Sequence, residues 1–167
     1  KGTVVRVPLQ RSVIYTSVHC GLVNEWGALD GVAGVCDVKY IHQDEVLQRL
    51  ADGRMTDLGN AQSPDVERMI DIQPDALLLS PFENSGGYGM VERLGVPIIE
   101  CADYMETSAL GRAEWMRFYG RLYGCGDKAD SLFANVEADY LKWKDKAQAC
   151  TDRPTVFADL PTGISAW

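Results

Sequence analysis

The sequence lacks any apolar run near the roughly 20 residues that a membrane-crossing helix needs. It also lacks a leader-like opening stretch, a feature that a mature exported domain and a cytosolic protein share. Its cysteines, Cys20, Cys36, Cys101, Cys125 and Cys150, form no CxxC pair, so neither a zinc ribbon nor a thioredoxin-type centre is indicated. Their odd number leaves at least one unpaired within the chain, and buried free thiols are the simpler reading. Histidine is scarce: His19 and His42 are the only two. With Cys20, Cys36 and Asp37 they show no tight ligand spacing, so metal ligation by side chains is not expected. The glycine cluster Gly86, Gly87 and Gly89 is neither GxGxxG nor a phosphate loop with its Lys-Ser/Thr. There is no nucleophile elbow and no convincing acid–base pair. Basic residues are outnumbered, 16 Lys and Arg against 24 Asp and Glu, for a net charge of −8. Nucleic-acid binding, which rests on clustered cations, is disfavoured.

What is present is the composition of a folded domain. Of 167 residues, 46% are hydrophobic and 24% charged, enough for one core and too apolar for disorder. Strand and helix signals alternate, which argues for an α/β layer architecture. Ser12 to Ser17 reads as a strand. Val18, Leu22, Val23, Trp26 and Leu29 recur at helical spacing. Val32 to Cys36 reads as a second strand, Asp37 to Asp44 as a polar loop and Glu45 to Ala51 as a short helix. Ser63 suits an N-cap and Pro64 the first helical position, with Asp65 at the positive end of the dipole. Val66, Met69 and Ile70 then form the inward stripe, and Glu67, Arg68 and Asp71 point outward. Ala76 to Leu79 is apolar on successive residues, as in a parallel strand buried on both faces. Gly86, Gly87 and Gly89 lead into a helix ending near Gly95, and Pro97 to Glu100 makes another strand.

Two helices are expected next, Ser108 to Tyr123 and Asp127 to Ala149, broken at Gly124-Cys125-Gly126. The second carries Leu132, Phe133, Val136, Tyr140, Trp143 and Ala147 on one stripe. Its span is roughly 34 Å at 1.5 Å per residue, suited to a strut. Thr155 to Asp159 starts a further strand that lacks its neighbours, which is expected of a truncated second lobe. Three parts follow: an α/β lobe over residues 1–106, a helical segment over 107–150, and the first strand of a truncated lobe over 151–167.

The order of these features resembles the helical-backbone periplasmic binding proteins that deliver ferric siderophores, haem or cobalamin to ABC importers. The resemblance rests on Tyr15-Thr16-Ser17 after the first strand and on the passage Glu25 to Val35, with its Ala28-Leu29-Asp30-Gly31 and Val32-Ala33-Gly34-Val35. Leu58-Gly59 followed by Pro64, Glu67 and Pro74-Asp75 is its most specific part. Leu94-Gly95-Val96-Pro97-Ile98-Ile99, the stretch Gly124 and Asp127-Lys128-Ala129 with its long helix, and Pro154-Thr155-Val156-Phe157 complete it. It implies a Rossmann-like lobe with a mainly parallel sheet, then an inter-lobe helix.

It also implies a binding protein and not an enzyme, one that captures cobalamin or a ferric siderophore, with haem the third candidate, and holds no intrinsic cofactor. The implied partner is an ABC permease in the inner membrane. The implied location is periplasmic or otherwise extracytoplasmic, with lipid anchoring through an upstream cysteine as one option. Glu67 would dock on arginines of the permease; from periodicity alone it is a solvated helix glutamate. Ligands of such sheets sit outside the carboxyl ends of the strands. The candidates there are Tyr15, Thr16, Ser17, Asp37, Lys39, Tyr40, Ser80, Phe82, Glu83, Asn84 and Tyr104. Tyr40, Phe82 and Tyr104 would supply aromatic walls; as ordinary loop aromatics they would merely cover the sheet end. The competing readings are an α/β enzyme with a nucleotide or metal cofactor at the sheet end, and a sensory domain on the same fold.

Overall fold

The structure is a computed structural model and describes residues 3–81 and 88–155. Its centre is a five-stranded parallel sheet. The strands are β1 (Ser12–Ile14), β2 (Val32–Val35), β3 (Thr56–Asp57), β6 (Leu77–Leu79) and β7 (Ile98–Glu100). A separate antiparallel hairpin, β4 (Gly59–Asn60) with β5 (Ser63–Pro64), lies between β3 and the next helix. The helices are α1 (Ser17–Glu25), α2 (Asp44–Ala51), α3 (Val66–Ile72), α4 (Ala109–Leu122) and α5 (Gly126–Ala149). The sheet order is β3-β2-β1-β6-β7. The chain therefore builds outward from β1 in one direction, then returns and builds outward in the other.

Both faces of the sheet are covered. Ile14, Val35, Leu78 and Ile99 pack with Cys20 and Val23 of α1, Val46 of α2 and Met116, Tyr119, Ala129 and Phe133 of α4 and α5. Val13, Cys36, Leu77 and Leu79 pack on the opposite side with Leu58, Met69 of α3 and Val91. Two-sided burial is what an unbroken apolar run such as Ala76-Leu77-Leu78-Leu79 calls for. It also answers the cysteine question. Cys36 and Cys101 belong to opposite faces, and all five cysteines are free.

Local chemistry moves several boundaries from where the sequence puts them. β1 stops at Ile14, because Thr16 turns the chain and its hydroxyl accepts from the His19 N–H as the cap of α1. Val18 on α1 is consequently 64% exposed. Ser63 and Pro64 do not open a helix. They pair with Asn60 and Gly59, and Asp65 is the N-cap, its carboxylate accepting from Arg68 N–H at 3.0 Å. The later start rotates the helix face: Met69 is buried, Ile70 is 56% exposed and Ile72 packs inward. Residues 86 and 87 lie outside the described residues, and Gly89–Leu94 is a 3-10 turn rather than an α-helix. The proposed strand at Thr155 to Asp159 falls almost wholly outside the described residues, and Thr155 itself has no regular structure.

α4 and α5 cross closely. A Cβ on Gly120 would sit 2.3 Å from the Ala129 Cβ, so only glycine permits this approach. Asp130 adds hydrogen bonds from Arg117 (2.9 Å) and Arg121 (3.0 Å); being exposed, these contribute little. Lys128 donates to the Trp26 carbonyl at 2.6 Å, tying the start of α5 to the end of α1.

A polar tie crosses the same layer. His19, buried on α1, contacts the Asp103 carboxylate through Nε2 at 3.1 Å. The Tyr119 hydroxyl donates to the same oxygen at 3.0 Å, and its ring lies 4.6 Å from the imidazole. With Nε2–H aimed at the carboxylate, Nδ1 is an unprotonated, buried nitrogen with no partner. Burial holds the imidazole below its ordinary value of 6.5, against the upward pull of Asp103. Protonation would add a buried N–H with nothing to receive it.

Two predictions follow from this packing. Replacing Gly120 by alanine should force α4 and α5 apart and cost about 1–3 kcal/mol, the usual penalty for overpacking; an unchanged urea midpoint would show that the crossing is slack. The His19 contribution is full above the unfolded value near 6.5 and is lost as pH falls through that value and then through the lower folded one. Stability should thus fall as pH drops below about 6.5, and His19→Gln should flatten that segment of the profile. Parallel curves for the two proteins would contradict a neutral buried imidazole.

Candidate functional site

The sheet reverses direction between β1 and β6, so the loops after these two strands leave on opposite sides. A crevice at the carboxyl ends is the consequence, and open α/β sheets bind their ligands there. After β1 come Tyr15, Thr16 and Ser17; after β6 come Ser80 and Pro81. β1 and β6 are in register, Val13 opposite Leu77 and Ile14 opposite Leu78, which sets the two tips side by side. Thr16 and Ser17 are half-buried, and Thr16 is already committed to capping α1. Tyr15 is only 5% exposed, and its hydroxyl is buried without a partner. Burial, and next the neighbouring Cys36, raise the phenol well above its usual range. It stays neutral, packed in the layer on the α3 side of the sheet.

The loop after β2 forms one flank. Asp37 takes a left-handed backbone conformation at φ 50° and its N–H donates to the Gly59 carbonyl at 2.7 Å. Lys39 and Tyr40 follow, both exposed, with the ammonium 4.7 Å from the ring centre. The other flank comes from β7 and the turn behind it. Tyr104 is partly exposed and its hydroxyl donates to the Pro81 carbonyl, joining the β7 side to the tip of β6. The structure thus gathers Tyr15, Thr16, Ser17, Ser80 and Tyr104 around the switch point and sets Asp37, Lys39 and Tyr40 on the β2 side. Phe82, Glu83 and Asn84 lie outside the described residues.

Several residues at this edge escape a reading based on loop aromatics. Glu100 ends β7 opposite Leu79 and accepts from the Tyr88 hydroxyl at 2.6 Å. Burial, then Glu100, push the Tyr88 phenol up to about 12. Asp57 ends β3 and accepts from Gly59 N–H at 2.8 Å. Burial, then Asp37 and Asp57, push the Cys36 thiol up to about 12, so it is not a reactive thiolate. The signal for Glu100 and Asp57 was available: each is the last residue of its strand.

His19 is spent on Asp103 inside the core, and His42 is exposed on the loop before α2. Among the described residues no three His, Cys, Asp or Glu side chains form a metal-holding group. Nor is any helix among them long and apolar enough to cross a membrane. Glu67, in the first turn of α3, is exposed. A separate groove of about 450 Å³ opens at the opposite edge, where Trp26 at the end of α1 meets Lys128 and Leu132 of α5.

Comparison with known proteins agrees with this fold. The petrobactin-binding protein YclQ from Bacillus subtilis aligns at a TM-score of 0.65 with 20% identity, over 86% of this chain and 49% of that one. The molybdate periplasmic binding protein MolA from Haemophilus influenzae aligns at 0.69 with 14% identity, over 87% and 51%. A periplasmic haem-binding protein from Pseudomonas aeruginosa aligns at 0.60 with 18% identity, over 83% and 49%. These likenesses concern the fold. In sequence, the Methanocaldococcus jannaschii lipoprotein MJ0878 is 28% identical over 155 residues, which is 88% of this chain and 37% of that protein. The chain spans less than half the length of the curated relatives it matches. The periplasmic binding protein family matches residues 13–163. A sheet switched between β1 and β6, a long helix behind it and this match over nearly the whole sequence have one meaning: the chain belongs to the periplasmic binding protein family, whose members bind solutes rather than transform them.

Proposed function

We propose that this chain is one lobe and the strut of an extracytoplasmic binding protein that captures an iron chelate or cobalamin and hands it to an ABC permease. What supports the reading is the pairing of β1 with β6 where the strand order reverses, which sets Tyr15-Thr16-Ser17 and Ser80-Pro81 side by side as adjacent tips. Preformed aromatic and polar groups there suit a large amphipathic guest. Haem is the weaker candidate, because His19 is committed to Asp103.

The strut supports a two-lobed whole. Leu132 and Phe133 of α5 are covered by the lobe, but Val136, Tyr140 and Trp143 on the continuing stripe are not, and Trp143 is 61% exposed. An apolar stripe at helical spacing calls for a partner surface, and a second lobe following α5 is the natural one. On this view residues 1–106 form the first lobe, 107–150 the helical segment and 151–167 the beginning of the second. A helix shared by both lobes restricts their motion, so opening is small compared with flexible-hinge binders.

Glu67 is the proposed docking residue. It stands in the first turn of α3, whose start is fixed by the Asp65 cap and by Asp65 N–H donating to the Leu58 carbonyl at 2.9 Å. A carboxylate on so fixed a helix end presents one orientation to a guanidinium, the requirement for bidentate pairing.

Two experiments test the reading. The intact protein, incubated separately with a ferric siderophore, cobalamin and haem and then desalted, should retain the visible absorption of one of them; retention of none refutes capture. Glu67→Ala should leave chelate affinity and stability unchanged, within about 0.5 kcal/mol for an exposed site. It should lower permease-coupled uptake about tenfold or more, the scale of a lost docking charge. Uptake equal to that of the unaltered protein removes Glu67 from docking.

A further inference from the structure

The strand tips divide by charge. The two central tips, Tyr15-Thr16-Ser17 and Ser80-Pro81, are uncharged. The flanking tips carry carboxylates: Asp57 on the last residue of β3, Asp37 two residues past β2, Glu100 on the last residue of β7, then Asp103 and Glu106 in the turn behind it. Their side-chain partners among the described residues are neutral. Asp57 accepts from a backbone N–H, Glu100 from a phenol, Asp103 from an imidazole and a phenol, and Glu106 from the Trp115 indole N–H at 2.9 Å. None of the five is paired to a lysine or arginine among the described residues. The cations on this edge are fewer. Arg68 is engaged by Asp65 at 3.2 Å, Lys39 lies over Tyr40, and Arg112 stands one turn into α4.

We propose that this lobe selects a chelate whose facing surface is neutral or cationic, and that Asp37, Asp57 and Glu100 are the residues that discriminate. The inference rests on the capture reading above and narrows it to a ligand class. A crevice walled by one sign of charge focuses potential onto its mouth and repels a ligand of that sign. Discrimination by repulsion needs no contact with the favoured ligand. Glu100 keeps one oxygen on Tyr88, so its charge is held at the crevice edge rather than swinging into solvent. The Ser17 and Ser80 hydroxyls at the centre then donate to and accept from amide or hydroxamate groups without demanding an ionised partner. A chelate dressed in carboxylates or catecholates would instead face carboxylates of its own sign.

The test compares two chelates of one metal on the intact protein. Ferrioxamine B, a cationic ferric trihydroxamate, and a triply anionic ferric tricatecholate are titrated by intrinsic fluorescence quenching at low and at high salt. Cyanocobalamin serves as the neutral third probe. Ferrioxamine B or cyanocobalamin should bind about tenfold or more tightly than the tricatecholate at low salt, with the gap narrowing as salt screens it. The double variant Asp37→Asn with Glu100→Gln should close the gap by raising tricatecholate affinity, circular dichroism confirming the fold. Equal or tighter binding of the tricatecholate by the unaltered protein overturns the charge selection and leaves capture standing. Failure to bind any of the three refutes the capture reading, and this inference with it.

Discussion

Everything in this fold depends on burying both faces of very short parallel strands. β1 and β6 are three residues each, and every one of those residues is buried. Such strands cannot be joined by tight turns, because a parallel pair needs a crossover. The crossovers place α1 and α2 over one face and α3 over the other, and α4, which follows β7, packs on the first face. Once the register Val13–Leu77 is fixed by that packing, all strand tips end on one edge. The crevice is a by-product of the core: moving the tips would mean slipping a strand, which would turn its apolar side chains from one layer to the other.

Much of this was legible in the sequence. Leu77-Leu78-Leu79 announced a doubly buried strand, and the helix expected from Ser108 begins there, with the Ser108 hydroxyl accepting from Gly111 N–H at 3.0 Å. The long helix falls where its periodicity put it. What was not legible came from competition between equally good local signals. Ser63 and Asp65 are both fit to cap a helix. Only the pairing of Ser63–Pro64 with Gly59–Asn60 decides for Asp65, and that pairing exchanges Ile70 for Ile72 on the inner face. β3, two residues long, exists because Gly34 and Val35 accept it in register, not because Thr56 and Asp57 favour a strand.

The site was less legible than the fold for a related reason. Its contacts join residues far apart in the chain. His19 and Asp103 are separated by 84 positions, and nothing near His19 distinguishes a buried tie from a metal ligand. Tyr15 appeared as a contact residue by its place after a strand, yet its ring belongs to the α3 face and its hydroxyl is enclosed. Glu100 and Asp57 were passed over because attention fell on aromatics, although the strand-tip rule applies to every strand alike.

The hairpin gives the lobe a physical link between its two proposed surfaces. At one end Gly59, at φ 78°, accepts from Asp37 N–H at the crevice flank and donates to the Asp57 carboxylate. At the other, Asp65 caps the helix that carries Glu67, and Arg68 of that helix reaches back to the Asp57 carbonyl at 3.0 Å. The path from the β2 and β3 tips to the first turn of α3 thus runs through a chain of backbone and side-chain hydrogen bonds. A ligand that pressed on Asp37 would meet a stiff element ending at Glu67. Spatial continuity alone does not make a switch, which needs two states that both sites bias. Under the proposed function, in which α5 would limit the motion of two lobes, so stiff a path would hold the proposed docking face in one shape and leave the position of the second lobe to report the cargo.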